Sequence, residues 1–343
     1  MAKASRFTVT FLLVIMAGFI LAGYAFAEKK PSIIWKTGTL APKGVGYANQ
    51  VRDIIIPAIA EATDGEVLLK IYWGGVMGDD KQHLKKMRIG QLQAGGLSGQ
   101  GTFMLAPDIA VLGLPFLFND YDEVDYVKHE MLPVFDKIVA QEGFRLLVWL
   151  DQDFDQIYSV KTPVTRPSDF PKAKFVTWFG PLEGKLLQML GTTPSPFDIT
   201  EIPSSLRSGV VNAMIAPSIW VVGTQLYSTF KYVNPIKIRY VPAFAVCTVK
   251  AWNKLPKKFQ KNIYNKREGW ATTFTKDSRK EGDKCFAAMV RYGVKEKRST
   301  KKELLEIKAK SLPIWNRLAG SLYSKALLDE IKGHLADYRK NKE

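Results

Sequence analysis

Ser168-Asp-Phe-Pro-Lys-Ala-Lys-Phe-Val-Thr-Trp-Phe-Gly-Pro181 opens, and Ser205-Leu-Arg-Ser-Gly-Val-Val-Asn-Ala-Met-Ile-Ala216 closes, the stretch whose reading decides the fold. The run Lys174 to Trp178 has strand character and stops at Gly180-Pro181, after which Glu183 to Leu190 has helical spacing. A second strand-like segment, Thr193 to Phe197, precedes a short helix from Ile202 to Ser208 that Gly209 ends, and Val210 to Ala216 is an apolar strand. In open α/β sheets ligands bind beyond the carboxyl ends of strands. Here those ends carry Trp178, Phe179, Pro217, Ser218 and Trp220.

Working toward the amino terminus, Ser32 to Thr37 reads as a strand, Gly38 to Gly46 as a loop, and Val51, Ile54, Ile55, Ala58, Ile59 and Ala62 recur at helical spacing, with Pro57 predicting a kink. Val67 to Trp73 is the next strand. Asp79-Asp80 caps a basic helix to Ile89, and Leu92 to Leu97 is a third strand. Strand, helix, strand, helix, strand implies a parallel sheet with right-handed crossovers. Gly95-Gly-Leu-Ser-Gly-Gln-Gly101 lacks the dinucleotide fingerprint order, and its glycines read as a turn or a close backbone approach. Phe144 to Leu150 and Gln156 to Val160 are two strands between which the chain is expected to cross into a second lobe. Tyr240 to Val249 returns. Leu255 to Tyr292 is a long helical run interrupted by Gly269 and Gly282, and Lys301 to Lys340 is amphipathic helix broken at Pro313.

Lys3 and Arg6, the apolar run Phe7 to Leu21 and Ala25-Phe-Ala27 before Glu28 form the pattern of a secretory signal peptide, an uncleaved anchor being the alternative. After Ala27 no stretch reaches the roughly 20 uninterrupted apolar residues of a bilayer-spanning helix. The expected mature chain has 343 − 27 = 316 residues, enough for two lobes. With 46% hydrophobic and 24% charged residues the composition is globular. The net charge of +16, or +14 without Lys3 and Arg6, reads as a solubilising shell and not a nucleic-acid surface, because the basic residues lie on helices rich in Glu and Asp. Lys295 to Lys302 reads as a solvated turn. Cys247 and Cys285 admit either a disulfide or two buried thiols.

An enzyme needs a constellation of reactive groups, and none is legible. His83, His129 and His334 read as surface residues on helices, and no H-E-x-x-H, G-x-S-x-G, Walker A or cysteine-pair motif occurs. Asp151, Asp153 and Asp155 alternate, which would place them on one strand face as a cation site or acid/base pair, or else in a solvated connector. Trp73, Trp149, Trp178, Phe179 and Trp220 all fall at predicted strand ends. Several rings at one edge suggest a small-molecule cleft between domains.

Gly74-Gly-Val-Met-Gly-Asp-Asp-Lys81, Arg88-Ile-Gly-Gln-Leu92, Leu114-Pro-Phe-Leu-Phe118, Pro167-Ser-Asp-Phe170 before Lys174-Phe, and Leu206-Arg-Ser-Gly-Val-Val-Asn212 are similar, in order, to the solute-binding subunits of tripartite ATP-independent periplasmic (TRAP) transporters. The resemblance covers nearly the whole mature chain. It implies an α/β two-lobe periplasmic binding protein fold with mainly parallel sheets, hinge-crossing strands and a long connecting helix, which closes on a ligand by hinge motion. The expected organisation is residues 1–27 signal peptide, 28–151 first lobe, 152–239 second lobe, 240–254 the strand returning to the first lobe, and 255–343 the hinge-spanning helix with C-terminal helices. Delivery to TRAP membrane permease subunits is implied, with no cofactor, metal or nucleic acid.

Members of that family place a carboxylate-clamping arginine after a Lys-Ile pair; here Lys174-Phe175 is followed by Val176. A second frequent arginine aligns with Asp155, and a glutamate and an asparagine offered to the ligand align with Ser98 and Ala216. The chain looks more like the subgroup that lacks the arginine and works with a tetratricopeptide-repeat lipoprotein, a likeness that Thr39 to Gly44 shares. That reading implies an apolar or amphipathic ligand. The candidate ligand-binding residues are Trp73, Ser98, Gln100, Asp155, Val176, Trp178, Phe179, Ala216, Ser218 and Trp220. A conventional organic acid held by Lys174, Lys185 or Arg207, or a periplasmic sensor, are the alternatives.

Overall fold

The computed structural model describes residues 31–342, so the signal-peptide reading of residues 1–27 lies outside the described residues. The strands are β1 (Ile33–Thr39), β2 (Val67–Tyr72), β3 (Ala94–Leu97), β4 (Phe144–Ser159), β5 (Val176–Thr177), β6 (Ser195–Pro196), β7 (Ala213–Ala216), β8 (Tyr232–Thr248) and β9 (Lys295–Glu296). They form a seven-stranded sheet in the order β2-β1-β3-β8-β4-β7, with β9 beside β8, and a two-stranded sheet β5-β6. The parallel pairing expected from the strand–helix alternation is present at β1–β2, β1–β3, β5–β6 and β8–β9. Pairings of β8 with β3 and of β4 with β7 and β8 are antiparallel, because two long strands run the length of the molecule in opposite directions.

Those crossing strands join the lobes. The two strands expected from 144 to 150 and 156 to 160 are one, β4, bent where its register against β8 shifts at Asp151/Asp153 and Asp155/Ile157. β8 begins at Tyr232, earlier than the expected Tyr240, and its opening turns pair with Ile157 to Ser159 before the shift. Between them Asn234-Pro-Ile-Lys-Ile238 is irregular, with Lys237 at φ 48°, so Pro235 removes no ladder hydrogen bond.

Helix Lys257–Tyr292 runs 36 residues without a break. Neither Gly269 nor Gly282 interrupts it. Its first half contributes Phe259, Ile263 and Phe274 to the apolar cluster of Trp35, Ile59 and Trp252, and its second half contributes Met289 to the cluster of Val176, Trp178 and Leu226. One helix therefore packs into the core of each lobe, and tertiary burial outweighs the weak local preference of its two glycines. The kink expected at Pro57 appears as a π-helical turn, Val51–Ile55, before Ile56–Ala62. Asp79 caps Asp80–Arg88 by accepting from Gln82 N at 2.8 Å. Pro313 separates Lys301–Ser311 from Ile314–Leu318 as expected. Lys295 to Lys302 is more than a turn: β9 occupies its start and Thr300 caps the following helix in a capping box with Glu303.

Two expectations are corrected by burial, and the two readings of the cysteines are decided in favour of the thiols. His83 is fully buried, not on the surface, and its ring lies against Gly38, where a Cβ would come within 2.8 Å of Cδ2. Asp151, Asp153 and Asp155 form neither a shared carboxylate face nor a solvated connector. All three are buried, the bulges turn them apart, and each has its own partners. Cys247 and Cys285 are free, buried thiols in β8 and the long helix. Among the described residues no helix is long and apolar enough to cross a membrane.

Candidate functional site

The turn after β5 sets the centre of the molecule. Glu183, in the first turn of helix Pro181–Met189, accepts through Oε2 from Trp178 N at 2.8 Å, Phe179 N at 2.9 Å and Thr177 Oγ1 at 2.9 Å. Its Oε1 accepts from Arg239 Nη2 at 2.9 Å. Arg239 stands opposite Asp155 in the β4–β8 ladder and donates from Nε to Asp155 Oδ2 at 2.6 Å. The guanidinium also lies over the Phe179 ring, 4.1 Å from its centroid. All four side chains are buried. Arg239 Nη1 and Asp155 Oδ1 have no hydrogen-bond partner.

This cluster occupies the region where the family resemblance placed carboxylate-binding groups. Val176 and Ala216 are fully buried core residues there. Phe179 reaches the other lobe at Gly99, where a Cβ would lie 2.5 Å from the ring and would also overlap Val241. Only glycine permits that approach. Burial pushes the Asp155 carboxyl up to about 7, with repulsion from Glu183 and Asp153 adding to it against the pull of Arg239.

An open cavity lies beside the cluster, between the lobes. One wall is Leu40, Val45, Tyr47, Leu97 and Ser98; the other is Ile199, Ile219, Trp220 and Thr224; Leu150, Asp151, Gln152 and Phe274 form the floor. Among its lining residues the sole charged one is Asp151, which is already engaged by Lys128 Nζ at 2.8 Å, Arg279 Nη2 at 2.7 Å and Tyr240 OH at 2.6 Å. These cations hold its carboxyl below the usual range although burial opposes them.

Of the ten candidate residues, Ser98 and Trp220 line this cavity. Trp178 stands behind Trp220, stacked at 5.3 Å with an interplanar angle of 20°, and its Nε1 donates to Ile215 O at 3.2 Å. Trp178 and Phe179 therefore support the aromatic wall from within the core. Ser218 is buried and within 3.1 Å of Tyr158 OH. Trp73 and Gln100 are half-buried and do not line the cavity. Trp149, expected at the same edge, is core, packed edge-on against Phe135 and Phe244. Lys174 and Arg207 are exposed, Lys185 is half-buried, and none of the three lines the cavity.

Sequence reasoning missed Arg239, Glu183, Gln152 and Tyr47. The Lys-Ile-Arg order sought near residue 176 occurs at Lys237-Ile-Arg239 on a different strand, which is the one signal that pointed to Arg239. Tyr47 OH donates to Gln152 O and Gln152 Oε1 accepts from Gly99 N, each at 2.5 Å, and no linear motif announces such contacts.

Two lobes joined by crossing strands, with a cleft of uncharged groups between them, define a bilobal ligand-binding protein. The model for bacterial extracellular solute-binding proteins, family 7 (DctP), matches residues 56–321, and the chain belongs to that family, whose members are ligand-binding transport proteins of the periplasm and not enzymes. It is 24% identical over 269 residues to the C4-dicarboxylate-binding periplasmic protein DctP of Rhodobacter capsulatus, covering 74% of this chain and 75% of the relative. It is 26% identical over 245 residues to the ectoine/5-hydroxyectoine-binding periplasmic protein UehA of Ruegeria pomeroyi, covering 67% of each. Matched segments span from 33% to 75% of such curated relatives. Among solved structures, the sugar acid binding protein of Advenella mimigardefordensis in complex with galactonate superposes with a TM-score of 0.83 at 19% identity, covering 90% of this chain and 99% of that one. A TRAP periplasmic solute binding protein of Sulfurospirillum deleyianum with bound succinate gives 0.80 at 18%, covering 88% and 99%. At these identities the likeness is one of fold.

Proposed function

We propose that this protein captures a compact, neutral solute of apolar or amphipathic character between its lobes and delivers it to a TRAP-type membrane permease. The observation that carries the reading is the cavity wall: Lys, Arg and His are absent from its lining, and its one carboxylate is neutralised from behind. Arg239, the buried cation nearest in kind to a carboxylate clamp, already faces two carboxylates. With both ionised that cluster carries a net charge of −1, and with Asp155 protonated it carries none. An anionic ligand meets no surplus positive charge, and desolvating an unpaired carboxylate is costly. Burial against Trp220, Ile219 and Leu40 supplies affinity instead. The association with a tetratricopeptide-repeat lipoprotein belongs to the same reading, and retention of the mature protein on such a partner, copurified from native membranes, tests it.

A second reading is favoured by one observation. Arg239 Nη1 is a buried donor without a partner, and the Rhodobacter relative bears the name of a C4-dicarboxylate-binding protein. Calorimetry decides between the two. Succinate is expected to give no binding heat with the mature protein, and a tight succinate complex abolished by Arg239→Gln establishes the organic-acid reading in its place.

A further inference from the structure

The polar groups of the cleft are few, and the hydrogen bonds behind them fix what each can offer. Ser98 Oγ is bonded to Asp80 Oδ2, and Ser98 N donates to Asp80 Oδ1 at 3.4 Å. Asp80 is 1% exposed and lies where a Cβ on Gly101 would meet its carboxyl carbon at 2.6 Å, so it has no room to turn away. Burial pushes its carboxyl up to about 6, with Ser98 opposing, so at neutral pH it is an anion and accepts the Ser98 hydroxyl proton. Ser98 Oγ is left with lone pairs alone; one receives Gly101 N at 3.3 Å and the other has no hydrogen-bond partner. Gln152 is fixed in the opposite sense. Its Oε1 accepts from Gly99 N at 2.5 Å, so the amide nitrogen is the end left to donate. Both side chains line the cavity, and both are tied to the one Ser98-Gly99 turn, which brings an acceptor and a donor to the same part of the wall.

We infer that Ser98 and Gln152 read a paired N–H and C=O on the ligand, the edge presented by a primary amide or a lactam, while Trp220 and Ile219 cover its apolar body. The ligand N–H donates to Ser98 Oγ and its carbonyl accepts from Gln152 Nε2. A carboxylate fails at Ser98, because two acceptors face each other there. A methyl ketone accepts from Gln152 Nε2 but turns a methyl group to Ser98 Oγ, which is left unpaired. This inference rests on the neutral-ligand reading above and narrows it to a ligand class.

The test is titration calorimetry of the mature protein with three probes of one pentyl chain: hexanamide, heptan-2-one and hexanoate. Hexanamide is expected to bind roughly tenfold or more tightly than heptan-2-one. Ser98→Ala is expected to bring the two to within about threefold of one another by weakening hexanamide alone, and Gln152→Glu to weaken both. Gln152→Glu keeps the acceptor for Gly99 N while removing the donor, so it separates recognition from folding of the turn. Equal binding of hexanamide and heptan-2-one by the unsubstituted protein overturns the amide pair and leaves the neutral-ligand reading standing. Preference for hexanoate overturns both. Absence of measurable hexanamide binding, an amide preference that survives Ser98→Ala, or binding untouched by Gln152→Glu overturns the pair as well.

Discussion

Arg239 illustrates how a single buried cation sets the behaviour of its neighbours. Its removal strands Asp155 and Glu183 in a dry interior, and Arg239→Met is expected to cost about 3–5 kcal/mol, read as a lower urea midpoint. Three buried carboxyls have folded pKa values above the ordinary range, Asp155 about 7 and Asp80 and Asp153 about 6, chiefly through burial. The folded state keeps these protons where the unfolded chain has released them, so stability is greatest with the carboxyls protonated and is lost as pH rises through about 6 to 7. His83, lowered to about 4 chiefly by burial, acts in the opposite sense as pH falls below its unfolded value. Because the three carboxyls outweigh one imidazole, the thermal midpoint is expected to be higher near pH ~5.5 than near pH ~8. Asp155→Asn should flatten the upper part of that slope; a midpoint falling steadily from neutrality toward pH ~5.5 contradicts the assignment. The tryptophans divide the work. Trp220→Ala should weaken ligand binding by about 2 kcal/mol with a modest stability cost. Trp178→Ala removes the ring behind it and should cost about 3–5 kcal/mol of stability, loosening the wall as a secondary effect.

At the scale of elements, the long helix and the crossing strands bear on each other at one point. Gly282 faces Asp153, and a Cβ there would overlap Oδ2; Asp153 itself sits at φ 99° in the bulged part of β4, with Tyr121 OH donating to its carboxylate. Gly269, in the same helix, has open space around it. Gly269→Ala is therefore expected to stabilise by about 0.5–1 kcal/mol through helix propensity. Gly282→Ala should destabilise by about 1–3 kcal/mol because it overpacks the hinge. Urea melts of the pair check this, and two stabilising substitutions would show that the contact yields. The sequence pattern located this helix and both crossing strands, but broke the helix and β4 and started β8 late. The glycines looked like interruptions because propensity is local, whereas burial of Phe274 and Met289 in separate cores is not. Pro235 and Lys237 disrupted the alternation that marks a strand, and only the register of β8 against β4 shows that the disruption is a bulge. Starting that strand at Tyr240 left Arg239 outside it and hid the central charge cluster.

For the whole molecule, the bulges in β4 and β8 and the helix that packs in both cores mark where the lobes can rotate. The contact of Phe179 with Gly99 describes lobes held close together. Solution scattering is expected to show a smaller radius of gyration with ligand bound than without it. An unchanged profile at demonstrated saturation would argue against hinge closure.

What the sequence by itself determined is the class of molecule: the alternation of strands and helices, the two-lobe α/β fold and, through ordered motifs, membership of the solute-binding family. The alternation is carried by periodicity and local turn chemistry, and the fold and family by the resemblance of the ordered motifs, both of which a linear reading captures. Only the tertiary structure decided which side chains face the ligand. Ser98 and Trp220 reached the cleft from the candidate set, while Gln152 and Tyr47 joined them unannounced and Val176, Phe179 and Ala216 went into the core. The reason is that a site between lobes is assembled from residues far apart in the chain. Its chemistry depends on which buried charge has already found a partner, as Arg239 has in Asp155 and Glu183.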